Sequence, residues 1–183
     1  MGYVRLVHSA SAVPTQEGTC LDAFKHELDY VFATLRRLGV SPGEIEDLAQ
    51  EVFIVLYRNW AEFDITRPLR PYLFGVAFRI VCAHRRRRAR EIPHPTLETP
   101  DGCPSPEGAL QSKESIALLQ AALESVPLLR RAVLVMHDLD DVPIVEVAKT
   151  LSISRFGAYS RLRKGRKELT GAVRRLSREG ARR

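Results

Sequence analysis

The 183-residue sequence predicts an all-α protein of two small helical domains joined by a flexible, proline-rich linker. Three observations lead there. Apolar residues recur at three- and four-residue steps in both halves, the period of a helix with one buried stripe. No stretch alternates apolar and polar residues as a half-buried strand would. Between the halves, residues 93–112 (PHPTLETPDGCPSPEGALQS) hold five prolines and two glycines with no period, the composition of a linker. Residues 1–20 read as an N-terminal extension and 177–183 as a basic tail. The chain therefore divides into folded segments 21–92 and 113–176.

In the first segment, Phe24, Leu28, Val31, Phe32, Leu35 and Leu38 form one helical stripe, and Gly39 stops it. Ser41-Pro42 then opens a second helix, with Ser41 as N-cap, Pro42 at the first helical position and Glu44 closing a capping box. This helix runs to about Trp60 and buries Ile45, Leu48, Ala49, Val52 and Leu56. Its opposite stripe is Asp47, Gln50, Glu51, Ile54 and Arg58. After a loop with Asp64, Pro68 and Pro71, a third helix runs from about Pro71 to Arg90 on an inner face of Leu73, Val76, Ala77, Ile80 and Val81.

The second segment begins with helices over about Ser115–Ser125 and Leu128–His137. Two more follow, about Ile144–Leu151 and Arg155–Leu176, separated by Ser152-Ile153-Ser154. The last pair has helix-turn-helix character. Ile144, Val147, Ala148 and Leu151 face inward, and the small Ala148 lets the next helix approach. Ile153 fills the corner and Ser154 caps the second helix. That helix holds Arg155, Phe156, Tyr159, Ser160, Arg161, Arg163, Lys164, Arg166 and Lys167, with Leu162 and Leu169 inward. A basic helix displayed this way suits a DNA major groove, with cations on phosphates and N-terminal side chains on base edges.

The composition narrows the function classes. The net charge is +6 and 45% of residues are hydrophobic. No apolar run approaches the ~20 residues of a membrane span, and the N-terminus lacks a signal-peptide core or a myristoylation pattern. Cys20, Cys82 and Cys103 are scattered, which argues against a disulfide framework or a cysteine zinc site and points to a reducing cytoplasm. The charge is uneven: net +2 over residues 1–92, −5 over 93–154 and +9 over 155–183. A second basic cluster, Arg85–Arg88 with Arg90, closes the third helix. Two positive patches separated by an acidic stretch suggest two contacts with a polyanion.

Three motifs then share one explanation. Asp47-Leu48-Ala49-Gln50-Glu51-Val52-Phe53, Tyr72-Leu73-Phe74-Gly75-Val76-Ala77 with its arginine run, and Ser160-Arg161-Leu162-Arg163-Lys164-Gly165-Arg166 occur in this order. Together they resemble a bacterial RNA polymerase sigma factor of the extracytoplasmic-function group, over about residues 21–172. The resemblance implies a sigma domain 2-like unit at 21–92 and a domain 4-like helix-turn-helix unit at 113–176. It implies that Asp47, Gln50 and Glu51, with Phe53 and Ile54 beside them, dock on core RNA polymerase. Charge-assisted hydrogen bonds to a partner helix agree with the clustering of those polar groups. It implies that the third helix recognises and helps open the −10 promoter element, a task needing aromatic contacts for unstacked bases and cations for the backbone. Arg67, Arg70, Tyr72, Phe78 and Arg79 offer those chemistries, as do Trp60, Phe63 and Phe74, with Arg85, Arg86, Arg87 and Arg88 along the upstream duplex. Trp60 and Tyr72 fit a core equally well. The recognition helix is implied to read the −35 element, and an anti-sigma factor to control the protein. The chain departs from the family at Phe78-Arg79 (commonly Arg-Asn), at Ala83 (often aspartate) and at Gly157-Ala158 (commonly Thr-Val), which bears on promoter preference.

Two other classes explain less of the sequence. A free-standing helix-turn-helix regulator leaves the Asp47–Phe53 motif unexplained. A metal-dependent nuclease would need carboxylates converging from several elements, whereas Glu44, Glu46, Asp47 and Glu51 lie on one short stretch without a histidine at helical spacing. No phosphate loop or hydrolase motif occurs, so no enzyme activity, metal or cofactor is expected. His84 is expected to face phosphate or solvent, and His137 to act at a helix C-terminus. Cys20 and Cys103 are expected in flexible segments, with incidental cysteines the favoured reading and a report of oxidation the alternative.

Overall fold

The computed structural model describes residues 20–91 and 110–180. Among these residues there are eight α-helices and no strand, so the all-α expectation holds. The first segment contains α1 (Cys20–His26), α2 (Leu28–Arg37), α3 (Ile45–Arg58) and α4 (Leu69–Glu91). The second contains α5 (Leu110–Glu124), α6 (Leu128–Leu134), α7 (Ile144–Thr150) and α8 (Arg155–Gly180).

The single first stripe proves to be two helices. Glu27 interrupts it; this residue is buried, and its carboxylate accepts a 2.7 Å bond from Arg70 Nε on α4. A carboxylate can sit there only because it is paired. Gly39 ends α2 as expected. Its φ of +83° is the left-handed cap conformation that glycine adopts without a Cβ penalty, and Val40 N–H returns to Leu35 C=O. The second helix starts later than expected. Pro42–Glu44 forms one 3-10 turn, and the Ser41 hydroxyl bonds the Glu44 carboxylate instead of capping a backbone N–H.

In the first segment, α2, α3 and α4 pack around Val31, Leu35, Leu38, Val52, Leu56, Leu73, Phe74 and Val76. In the second, α8 is the long element on which α5, α6 and α7 pack. Leu123, Val133, Met136, Val147, Ala158 and Leu162 fill that core. The α6 helix continues as a π turn over Val135–Leu139, ending the regular helix earlier than its periodicity implied.

The two segments are in contact. Helix α7 lies on α4, and α5 lies on α2. Apolar residues of both segments join in one core, and polar contacts cross the seam as well. Tyr30 and Arg37 donate to Asp140 at 2.8 and 3.1 Å, and Gln120 donates to Arg36 C=O at 2.5 Å. Arg131 is only 2% exposed, and it reaches back to the carbonyls of Glu124 and Val126. Its Nη1 faces Gly39 and has no hydrogen-bond partner. Desolvation lowers the Arg131 pKa to about 10, with the neighbouring Arg85 pushing the same way. Cys20 is not in a loose segment: it opens α1 at 6% exposure, and burial raises its thiol pKa. Cys103 lies outside the described residues.

Candidate nucleic-acid interface

Three surfaces are built from the elements above. The first is the outer face of α3. Burying Ile45, Leu48, Ala49, Val52 and Leu56 turns Asp47, Gln50 and Ile54 outward, all exposed and one turn apart. Tyr57 extends this face at 66% exposure. Phe53 is half-buried, with its ring 5.1 Å from Phe24 and 6.0 Å from Tyr57. It therefore supports the exposed residues from beneath. Glu51 is tied to the neighbouring helix by a 3.3 Å ion pair with Arg87 of α4.

That pair belongs to a larger charge network between α3 and α4. Glu44 meets His84 at 3.0 Å and Arg88 at 3.4 Å. His84 thus faces a carboxylate, not open solvent. Burial acts to raise the Glu44 pKa, but the Ser41 hydroxyl, His84 and Arg88 together outweigh it and hold the carboxyl below its ordinary range. These residues line a groove with Asp47 and Leu48. The arginine run is therefore divided. Arg86 is turned outward, whereas Arg87 answers Glu51 of α3 and Arg88 answers Glu44 of the preceding 3-10 turn. Arg85 donates at 2.9 Å to Leu38 C=O at the end of α2.

The second surface surrounds the start of α4. Trp60 and Phe63 stack with centroids 5.8 Å apart, and Phe63 meets Tyr72 at 5.1 Å. All three are half-buried, so this aromatic cluster has both a packing edge and an open edge. Asp64 shapes the loop by accepting from the Thr66 hydroxyl and backbone N–H, which holds its carboxyl below the usual range. Arg67 and Arg79 are exposed, and Phe78 is half-buried. Phe74 is fully buried, which removes it from any contact. Arg70 pairs with Glu27, and its guanidinium lies 5.2 Å from the Tyr30 ring centroid, so it serves the seam here.

The third surface is α8. Ala158, Leu162, Gly165 and Ala172 face inward, and the opposite stripe presents Phe156, Tyr159, Ser160, Arg163, Lys164 and Lys167 around a shallow groove. Ser154 caps the helix as expected, accepting from Gly157 N–H at 3.0 Å. The expected basic residues differ in availability. Arg163 and Lys164 point outward, and Arg155 lies 5.9 Å from the Tyr159 ring centroid. Arg161 turns back to Gly157 C=O at 3.1 Å, and Arg166 makes a two-armed pair with Asp138 at 2.6 and 2.9 Å. His137 does not act on a helix dipole alone: its Nδ1 lies 2.9 Å from Val142 C=O. Among the described residues, no group of three or more His, Cys, Asp or Glu is placed to hold a metal ion.

Sequence reasoning missed Glu27, Tyr30, Arg131 and Asp140. None sits in a motif, and the pairing of Tyr30 with Asp140 spans 110 positions.

Comparisons with known proteins identify the family and the fold. Sigma-70 region 2 matches residues 23–91, and sigma-70 region 4 matches residues 116–169. Together the two matches span most of the chain, which therefore belongs to the sigma-70 family. It is 28% identical over 161 residues to the ECF RNA polymerase sigma factor SigE of Mycolicibacterium smegmatis, covering 86% of this chain and 62% of that one. The chain thus spans under two thirds of that relative's length. It is 26% identical over 160 residues to the ECF sigma factor SigW of Bacillus subtilis, covering 81% and 85%. In fold it is similar to the sigma factor RpoE solved with the anti-sigma factor NepR from Bartonella quintana. That match has a TM-score of 0.68 at 20% identity, over 83% of this chain and 97% of that one. It is also similar to CnrH solved with the cytosolic domain of CnrY, with a TM-score of 0.57 at 18% identity, over 83% and 85%. No helix among the described residues is long and apolar enough to cross a membrane.

Proposed function

We propose that this chain acts in the cytoplasm as a promoter-specificity subunit. It binds core RNA polymerase through α3, recognises −10 and −35 promoter elements through α4 and α8, and helps open the DNA. It has no catalytic role of its own. One observation supports this most directly: Asp47, Gln50, Ile54 and Tyr57 form an exposed polar and apolar strip on the outer face of α3. A DNA-binding module working alone has no use for such a strip. A partner helix does, because apolar anchors flanked by hydrogen-bonding groups are the usual content of a docking face.

The aromatic cluster of Trp60, Phe63 and Tyr72, with Arg67 and Arg79 beside it, supplies stacking edges and cations for a strand being unpaired. Arg86 adds a cation for the upstream duplex. Control by an anti-sigma factor is part of this reading, and its support is that the similar RpoE was solved in complex with the anti-sigma factor NepR.

The test is transcription in vitro with core polymerase on genomic DNA, mapping transcript starts. The expected result is a small set of starts that depends on the chain. Gln50→Ala combined with Glu51→Ala should weaken core binding in a pull-down. Unchanged binding, or DNA recognition that needs no polymerase at all, would favour a free-standing regulator.

A further inference from the structure

We infer that Phe156 is a specificity residue that reads the methyl group of a thymine in the major groove of the upstream promoter element. This rests on the proposed DNA-reading role of α8 and names what that helix looks for. Phe156 is 84% exposed, the most exposed of the large hydrophobic residues described. A single exposed apolar residue is ordinary, but Phe156 shares one groove with the exposed Tyr159 and three cations, so apolar and positive surface are presented together. Its place suggests the partner. Phe156 stands in the first turn of α8, and Ser160, Arg163, Lys164 and Lys167 follow on the same face.

In a helix laid in the major groove, N-terminal side chains reach base edges while later cations meet phosphates. The charge of this stripe thus commits its occupant to a polyanion. Phenylalanine has no donor or acceptor, so it cannot read a base through hydrogen bonds. The one apolar feature on the major-groove edges is the C5 methyl of thymine.

The neighbouring residues keep the ring available. Gly157 brings no side chain beside it. A Cβ there would lie 2.7 Å from Arg161 Nη1 and 2.9 Å from Ser154 Oγ, so glycine leaves room for the cap and for the folded-back arginine. Tyr159 is held with Arg155 over its ring and flanks Phe156 on the open side.

The experiment selects a preferred duplex from a random pool with polymerase reconstituted with the full chain. Each upstream thymine is then replaced singly by uracil, which lacks only the methyl group. One replacement should weaken wild-type binding by about three- to fivefold, the worth of one buried methyl. Phe156→Ala should bind the thymine duplex correspondingly less well and be indifferent to that uracil, while Phe156→Leu keeps the preference. The same scan with the full chain alone separates the two readings. If polymerase is not bound but the chain alone shows the uracil effect, only the polymerase reading falls. The inference is overturned if no uracil matters, if Phe156→Ala retains the effect, or if neither preparation selects a duplex.

Discussion

Tyr30 on α2 donates a 2.8 Å hydrogen bond to Asp140, beyond the π turn after α6, and so joins the two sigma regions. Arg37 reaches the other oxygen of the same carboxylate at 3.1 Å. Burial raises the Asp140 pKa, although both partners and Arg70 act to lower it. Burial next to that carboxylate also raises the Tyr30 hydroxyl well above its ordinary value. The seam is therefore held by polar groups that bear a desolvation cost.

Tyr30→Phe should lower the unfolding free energy by about 1–3 kcal/mol, because it leaves a buried acceptor short of a donor. Urea melts followed by helical circular dichroism measure this. The pH dependence follows from the raised Asp140 pKa. An aspartate that holds its proton more tightly when docked favours docking below its free value, near 3.9, and loses that contribution as pH rises through the raised value. Asp140→Asn should remove this component, seen as a smaller difference in scattering-derived radius between pH 4.5 and 7.

Gly75 lies inside α4, in its second turn, where glycine costs the helix up to about 1 kcal/mol against alanine. A Cβ there would come 2.9 Å from Thr150 Cγ2 on α7. Gly75→Leu should force the helices apart and enlarge the radius of gyration, although it improves helix propensity. Pairing it with Thr150→Gly should restore part of the compactness. A radius unchanged by Gly75→Leu would mean that the seam yields without opening.

Ser152 ends α7 with a φ of +53°, unusual for a residue with a Cβ. Ile153 N–H returns to Ala148 C=O, the pattern of a left-handed helix stop. Ser152→Gly should raise stability by about 0.5–1 kcal/mol by relieving that conformation. A rise of a few degrees in Tm would show it.

Salt dependence separates the cations of α8. Replacing exposed Arg163, Lys164 or Lys167 by alanine should reduce the slope of log affinity against log salt by about 0.9 for each phosphate that is no longer neutralised. Arg166→Ala should change the slope less and lower Tm instead, because Arg166 already pairs with Asp138. Filter binding across a salt series, run beside thermal melts, distinguishes the two effects.

The periodic apolar stripes, the stop at Gly39 and the cap at Ser154 were legible from local order alone, because helix period and end chemistry involve residues a few positions apart. The same locality made the outer face of α3 and the basic face of α8 readable. It also explains the errors. Charged residues look alike in sequence whether they face solvent or a partner, so the division of Arg85–Arg88 among carbonyl, carboxylate and water was invisible. The break at Glu27 depends on Arg70, 43 positions away. By itself, then, the sequence determined the all-α class, most of the helices with their main apolar stripes, and the family resemblance. Only the tertiary structure decided which cations are occupied and that α7 rests on α4 through a seam centred on Asp140. Pairing of charges depends on distances between segments, and no local pattern encodes those.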